Sequence, residues 1–173
     1  MFLACSRFIF LLAFILSALV MGASLYLEYG LGLEPCLLCL VQRYFLWGLC
    51  MVNLAAFLHR PRFAGMKAYS IVSTVLALGG SASALRQVLL QGQSPEQLMF
   101  CQPDLGAIWL NLPLSEVVST IYRGSEACVL THWSIFDLHV AELSLLAFAG
   151  LSVLSSYQII RALSYRVSRL HAT

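Results

Sequence analysis

Four long stretches of this chain carry no aspartate, glutamate, lysine or arginine, and they leave it few ways to fold. Phe8 to Leu27 is twenty residues without a charge, and Tyr44–Leu58, Ala68–Leu85 and Leu143–Ile160 are charge-free as well. A hydrocarbon core about 30 Å thick takes about 20 mostly apolar helical residues to cross. The second run reaches that length only when extended back toward Pro35, which brings Arg43 with it. The third gains length by running through Arg86 to Leu90. With 60% hydrophobic and 10% charged residues, against roughly 25% charged in an average soluble protein, the chain reads as a membrane protein. In lipid each span must satisfy its own backbone hydrogen bonds, so the spans are helices. The expected fold is an all-α, four-helix transmembrane bundle forming one domain over residues 1–173. Its spans are expected near 8–27, 36–58, 68–90 and 140–160. Met21-Gly22-Ala23-Ser24 offers small residues at which a signal peptide could be cut. The apolar core before it is longer than the usual stretch of about 7 to 15 residues, so the first span is read as retained.

The basic residues orient the bundle. Arg7 precedes span one, Arg60, Arg62 and Lys67 lie between spans two and three, and Arg161, Arg166 and Arg169 follow span four, making seven of the ten Lys and Arg. All eight acids (Glu28, Glu34, Glu96, Asp104, Glu116, Glu126, Asp137 and Glu142) fall on the opposite side or at its boundary. By the positive-inside rule both termini are expected in the cytoplasm, with residue 59–67 as a cytoplasmic loop. Residues 28–35 and 91–139 then face outward. A net charge of +2 is too small to suggest nucleic acid.

Within the spans, Gly80 and Ala84 make a small-xxx-small pair suited to close helix approach. In the long outer segment, "NLPLSEVVSTIYRGSEAC" places Pro113 at a first helical position, with Leu114, Val117, Val118 and Ile121 on one face. This predicts a short amphipathic helix that lies in the membrane interface or packs on the bundle end.

The six cysteines divide by compartment. Cys5 falls on the cytoplasmic side, where thiols stay reduced. Cys50 lies deep in span two and is read as a small packing residue. Cys36, Cys39, Cys101 and Cys128 remain on the oxidising face, and four cysteines allow three connectivities. A disulfide clamping the long loop would account for Cys101 and Cys128. It would not account for Cys36 and Cys39, because a two-residue spacer closes too small a loop to add much stability. Cys-x-x-Cys is a spacing of redox-active thiols. In "EPCLLCLVQR" it opens a helix, where the macrodipole favours a thiolate. Positions 36, 39 and 43 step by three and four, so the two cysteines and Arg43 share a helical face. Arg43 then sets a fixed positive charge beside the Cys39 sulfur. Zinc is the rival use of four cysteines, but it wants a second closely spaced pair, and it leaves Arg43 unexplained. No metal is expected.

These residues resemble the DsbB family, the four-helix membrane quinone reductases of bacterial disulfide formation. The resemblance rests on "PCLLCLVQR" at an outer helix start, the second outer cysteine pair, "LNLPLSEV" between its members, and Trp133 shortly after Cys128. It extends to span count, orientation and loop sizes. It implies disulfides Cys36–Cys39 and Cys101–Cys128. It further implies that Cys101 is attacked by a reduced periplasmic DsbA-like thiol oxidase, that Cys128 passes electrons to the Cys36–Cys39 pair with Cys36 as its partner, and that Cys39 meets ubiquinone or menaquinone at a site holding Arg43. That such a chain of carriers keeps the bacterial periplasm oxidising is a property of the family, not a reading of these residues. The implied location is the bacterial inner membrane, as a multi-pass monomer in contact with lipid and the quinone pool.

Two departures stand out. Some relatives place a histidine in the loop before the third cysteine, whereas here there is none between His59 and His132. Arg86 could take a place at the quinone, although an interfacial structural charge is the simpler role. "SIFDLHVAEL" follows Trp133 where relatives often have Gly-Leu and Pro, which leaves the start of span four open. His139 and Glu142 there could belong to a proton path or be interfacial charges. Two other readings compete. A vitamin K epoxide reductase-like quinone reductase shares four helices and a Cys-x-x-Cys, but carries that motif late in its bundle. A non-catalytic tetraspan assembly factor would use the cysteines only as structural disulfides.

Overall fold

The computed structural model describes residues 2–32, 37–61, 63–91, 134–135 and 138–170. Four long helices dominate: α1 (Phe2–Leu25), α2 (Leu37–His59), α3 (Phe63–Gln91) and α4 (Val140–Leu170). Each contains a stretch apolar and long enough to cross a membrane, as the charge-free runs require. The fold is the expected all-α bundle, with one small addition. Ser134–Ile135 (β1) and Leu138–His139 (β2) form a two-residue antiparallel ladder just before α4, pairing Ser134 with His139 and Ile135 with Leu138. The ladder ends where α4 begins, at Val140. The expected amphipathic helix after Pro113 lies outside the described residues.

Two helix boundaries stand out, the first of them beside the site. α1 runs directly into a five-residue π-helical segment, Tyr26–Gly30. Wider turns of this kind recur at functional positions in helices. α2 ends at His59, where Arg60 turns into the left-handed region at φ 47 and Pro61 blocks further helix.

The bundle sorts side chains by neighbour. Leu19, Trp47, Val75, Leu146 and Val153 are exposed on the outside of the bundle, as lipid-facing positions should be. Inside, Met21, Leu46, Leu49, Ala77, Ala84, Phe148 and Leu151 form the main apolar cluster. Phe10, Ala56 and Met66 form a second. α3 and α4 pack most extensively, and Gly80 explains how: a Cβ at that position would come within 2.0 Å of the Phe148 ring. The Gly80–Ala84 pair thus admits an aromatic from α4, giving the close approach expected of small residues.

The interior also carries a polar thread. Asn53 Nδ2 donates to Leu49 O at 2.8 Å and to Ser73 Oγ at 3.1 Å, and the Ser73 and Ser155 hydroxyls meet at 3.0 Å. Ser81 and Ser152 pair the same two helices again at 3.3 Å. With little hydrophobic force between helices in lipid, such bonds and close packing join them.

Candidate functional site

Cys39 falls in the first turn of α2, since the helix starts at Leu37. That is the position the sequence assigns it, at the positive end of the helix dipole. One turn further on, Gln42 and Arg43 project beside it. These three line a cavity of about 220 Å³ with Leu46 of the same helix. Val20, Ala23 and Ser24 of α1 and Leu27 of the π-helical segment form a second wall; Leu143, Ser144, Ala147 and Phe148 of α4 form the third. The lining is mostly apolar, with a thiol, an amide and a guanidinium on the α2 side and a serine on each of the other walls. That is the usual make-up of a small-molecule site. A cavity of roughly 150 Å³ already takes benzene, so this one has room for a substituted ring.

Arg43 is held from one side. Its Nη1 donates to Glu28 Oε2 in a half-buried ion pair, and its Nη2 donates to Ser24 Oγ at 3.2 Å and Ser24 O at 3.5 Å. Ser24 and Glu28 stand four residues apart at the junction of α1 and the π-helical segment, so one stretch of chain presents both acceptors. Arg43 Nε is buried and has no hydrogen-bond partner among the described residues. A buried donor left unpaired costs free energy and calls for an explanation. An acceptor on a molecule in the adjoining cavity supplies one.

The sulfur has a polar neighbour that the sequence did not single out. Gln87 of α3 donates from Nε2 to Cys39 Sγ at 3.2 Å, and Gln42 Nε2 donates to Gln87 Oε1 at 2.7 Å. The two amides therefore bridge α2 and α3 at the level of the thiol. Both were visible as amides inside apolar runs, which in lipid must find partners within the protein. What the sequence could not supply was the rotation of α3 that brings Gln87 to the cysteine.

The remaining candidates separate clearly. Arg86 is half-buried on α3 and is not on the cavity wall. Cys50 contributes more than packing, because its Sγ hydrogen-bonds Ser17 Oγ at 3.2 Å. Cys36, Cys101, Cys128, His132 and Trp133 lie outside the described residues, as does any pairing of the cysteines. Among the described residues no cluster of His, Cys, Asp and Glu could hold a metal ion.

An apolar cavity in a four-helix membrane bundle, bordered by a thiol and an arginine, narrows the comparison with known proteins. Residues 6–158 match the family model described as Disulfide bond formation protein DsbB. The chain belongs to the DsbB family. It is 41% identical over 161 residues to Disulfide bond formation protein B 2 of Pseudomonas fluorescens (strain Pf0-1), covering 93% of this chain and 88% of that one. To Disulfide bond formation protein B 1 of Pseudomonas aeruginosa PAO1 it is 41% identical over 159 residues, 92% and 98% of the two chains. To Disulfide bond formation protein B of Methylococcus capsulatus (strain Bath) it is 35% identical over 158 residues, 91% and 96%. No solved structure matches it significantly. Family and architecture together make it a membrane protein of disulfide formation, a disulfide-forming oxidoreductase in the general sense. Of its Cys-x-x-Cys, Cys39 lies on the cavity wall.

Proposed function

We propose that this DsbB family protein reoxidises a periplasmic DsbA-like dithiol oxidase and delivers the electrons to ubiquinone or menaquinone. It does so from the bacterial inner membrane, as a monomer with both termini in the cytoplasm. The observation that carries the reading is a ring-sized apolar cavity whose wall holds Cys39 and Arg43 side by side.

In this route Cys101 takes the attack of the reduced oxidase, and Cys128 is displaced as a thiolate. Cys128 then attacks Cys36, breaking the Cys36–Cys39 disulfide and freeing Cys39. The oxidase's second thiol releases it from Cys101 as a disulfide. Cys101 returns to Cys128 and displaces Cys36, which leaves Cys36 and Cys39 as the dithiol to be oxidised back to a disulfide. Each exchange forms one S–S bond as another breaks, so no outside oxidant enters until the last step. A quinone, when bound, supplies that oxidant by accepting two electrons and two protons. Arg43 holds a carbonyl oxygen through its guanidinium and favours negative charge developing there, and the apolar lining keeps water out. Cys39 sits at the cavity wall, where its sulfur can meet the acceptor. Arg86 has no part in this reading, because it stands off the wall.

The decisive experiment mixes purified full-length protein, reduced partner oxidase and quinone, and follows quinone absorbance together with thiol oxidation. Equal loss of dithiol and quinone is expected. An assembly factor with structural disulfides would keep both disulfides and leave the quinone unchanged. Removing the resolving thiol by Cys128→Ser is expected to trap a mixed disulfide on Cys101. For topology, reduced Cys101 and Cys128 should react with a membrane-impermeant maleimide in spheroplasts while Cys5 does not. Labelling of Cys5 from outside would reverse the orientation.

A further inference from the structure

Gln87 is 2% exposed and Gln42 5% exposed, and the two amides are joined to each other and to sulfur. Gln42 Nε2 donates to Gln87 Oε1 at 2.7 Å, which makes that end of the Gln87 amide the acceptor in this pair. The opposite end, Nε2, is then the one that meets Cys39 Sγ at 3.2 Å. Among the described residues α3 contributes none to the cavity wall, so Gln87 reaches the sulfur from outside the lining.

From this geometry we infer that Gln87, oriented by Gln42, is a positioning residue that sets the redox balance of the Cys36–Cys39 pair through an N–H donated to Cys39. A hydrogen bond to an ionised acceptor is roughly twice as strong as one between neutral groups. The donor therefore stabilises the reduced, thiolate-bearing form more than the disulfide. Stabilising the reduced form makes a disulfide a stronger oxidant, which here makes the pair a better acceptor of electrons arriving from Cys128. Gln42 holds the sense of the effect. Were the Gln87 amide turned over, its oxygen would face the sulfur and disfavour negative charge there. The inference rests on the proposed electron route, since it presumes that Cys36 and Cys39 cycle between dithiol and disulfide.

The test uses the full chain with Cys101→Ser and Cys128→Ser, so that only the Cys36–Cys39 pair exchanges. The protein is equilibrated in glutathione buffers of graded ratio, and its thiols are counted by alkylation and mass. Gln87→Leu is expected to move the equilibrium about tenfold toward the disulfide, equivalent to about 30 mV in the negative direction. Gln87→Met, also lacking the N–H but closer in shape, gives the same reading if the leucine variant does not fold. Gln42→Leu should move it less in the same direction. If Gln42 acts on this equilibrium through Gln87, the double variant, measured without quinone, should match Gln87→Leu alone within about twofold. In the chain with all cysteines intact, Gln87→Leu should leave KM for quinone unchanged, since Gln87 is off the wall. Equilibria within twofold of the parent, a shift toward the dithiol, or additive single effects would overturn the inference. Failure of the parent pair to form a reversible disulfide would overturn the electron route itself, a separately recognisable result.

Discussion

The two halves of the bundle both bury polar side chains, yet they put them to different uses. Toward the His59 end, Asn53, Ser73 and Ser155 close a short chain of hydrogen bonds across three helices. Their members are uncharged and nearly fully buried. At the Cys39 end, the polar groups include an arginine, a carboxylate and a thiol, and a cavity opens beside them. Buried polarity in lipid is therefore not by itself a mark of function. Unpaired buried atoms occur in both halves, Arg7 Nε and Asn53 Oδ1 in the first and Arg43 Nε in the second. The first group joins helices, whereas the second gathers an arginine and a thiol around space that a ligand can fill.

That contrast can be tested by breaking each half in turn. The largest effect is expected from Cys39→Ser, which should lower quinone-linked turnover by more than about a hundredfold because the nucleophile is gone. Exchange between the partner oxidase and Cys101 should persist in that variant, and Cys50→Ser should turn over nearly normally. Thiol counts taken alongside quinone absorbance would separate the two steps. Turnover that survives Cys39→Ser would move the electron exit elsewhere.

Arg43 comes next. Losing a charged hydrogen bond of about 1.5–3 kcal/mol corresponds to a rise in KM for quinone of roughly tenfold to a hundredfold in Arg43→Met. Arg43→Lys keeps the charge without the planar fork, and should fall between the two. Kinetics with quinone and oxidase varied independently would show whether the change is confined to quinone. Normal quinone kinetics in Arg43→Met would make the residue an interfacial anchor only.

Gly80→Val tests the wall between the halves. A Cβ there meets Phe148, so overpacking of about 1–3 kcal/mol is expected in stability, read as a lower Tm in detergent. Because Phe148 also lines the cavity, KM for quinone should rise with it. The smallest effect belongs to the inner thread: Ser73→Ala removes two hydrogen bonds and should cost only about 1 kcal/mol, at about 0.6 kcal/mol for each such bond. Its kinetics should match those of the parent. A kinetic defect in Ser73→Ala as large as that of Arg43→Met would erase the distinction between the two halves.

The fold was legible because charge-free length is a direct physical demand of the bilayer, and four such runs leave little else. Placement of Arg43 beside Cys39 was legible too, since both sit on one helix and a spacing of four residues settles their face. Contacts between helices were not. Glu28 reads from sequence as a boundary acid, and nothing in its spacing names Arg43, fifteen residues away across a loop. Gln87 and Gln42 are separated by 45 positions, and their meeting depends on the rotation and depth of α3 against α2. Gly80 was read correctly as a point of close approach, but its partner, Phe148, again required the packed bundle. Cys50 reads in the sequence as a packing residue, because local spacing gives no hint of the Ser17 hydroxyl on α1.

The π-helical turn at Tyr26–Gly30 gives the outer end of the first helix an unusual sensitivity to counting. Each residue in a helix advances the chain by about 100° around the axis. Ser24 lies before the turn and Glu28 within it, so the angle between the two acceptors of Arg43 depends on how many residues the turn holds. Deleting Leu27, an apolar residue with no charge to lose, would swing Glu28 by about that angle while leaving Ser24 where it stands. The arginine would lose its carboxylate although neither partner had been altered. Chain length at this point is a parameter of the site, and tolerance of insertions and deletions should fall sharply between Ser24 and Gly30, even where substitutions are accepted.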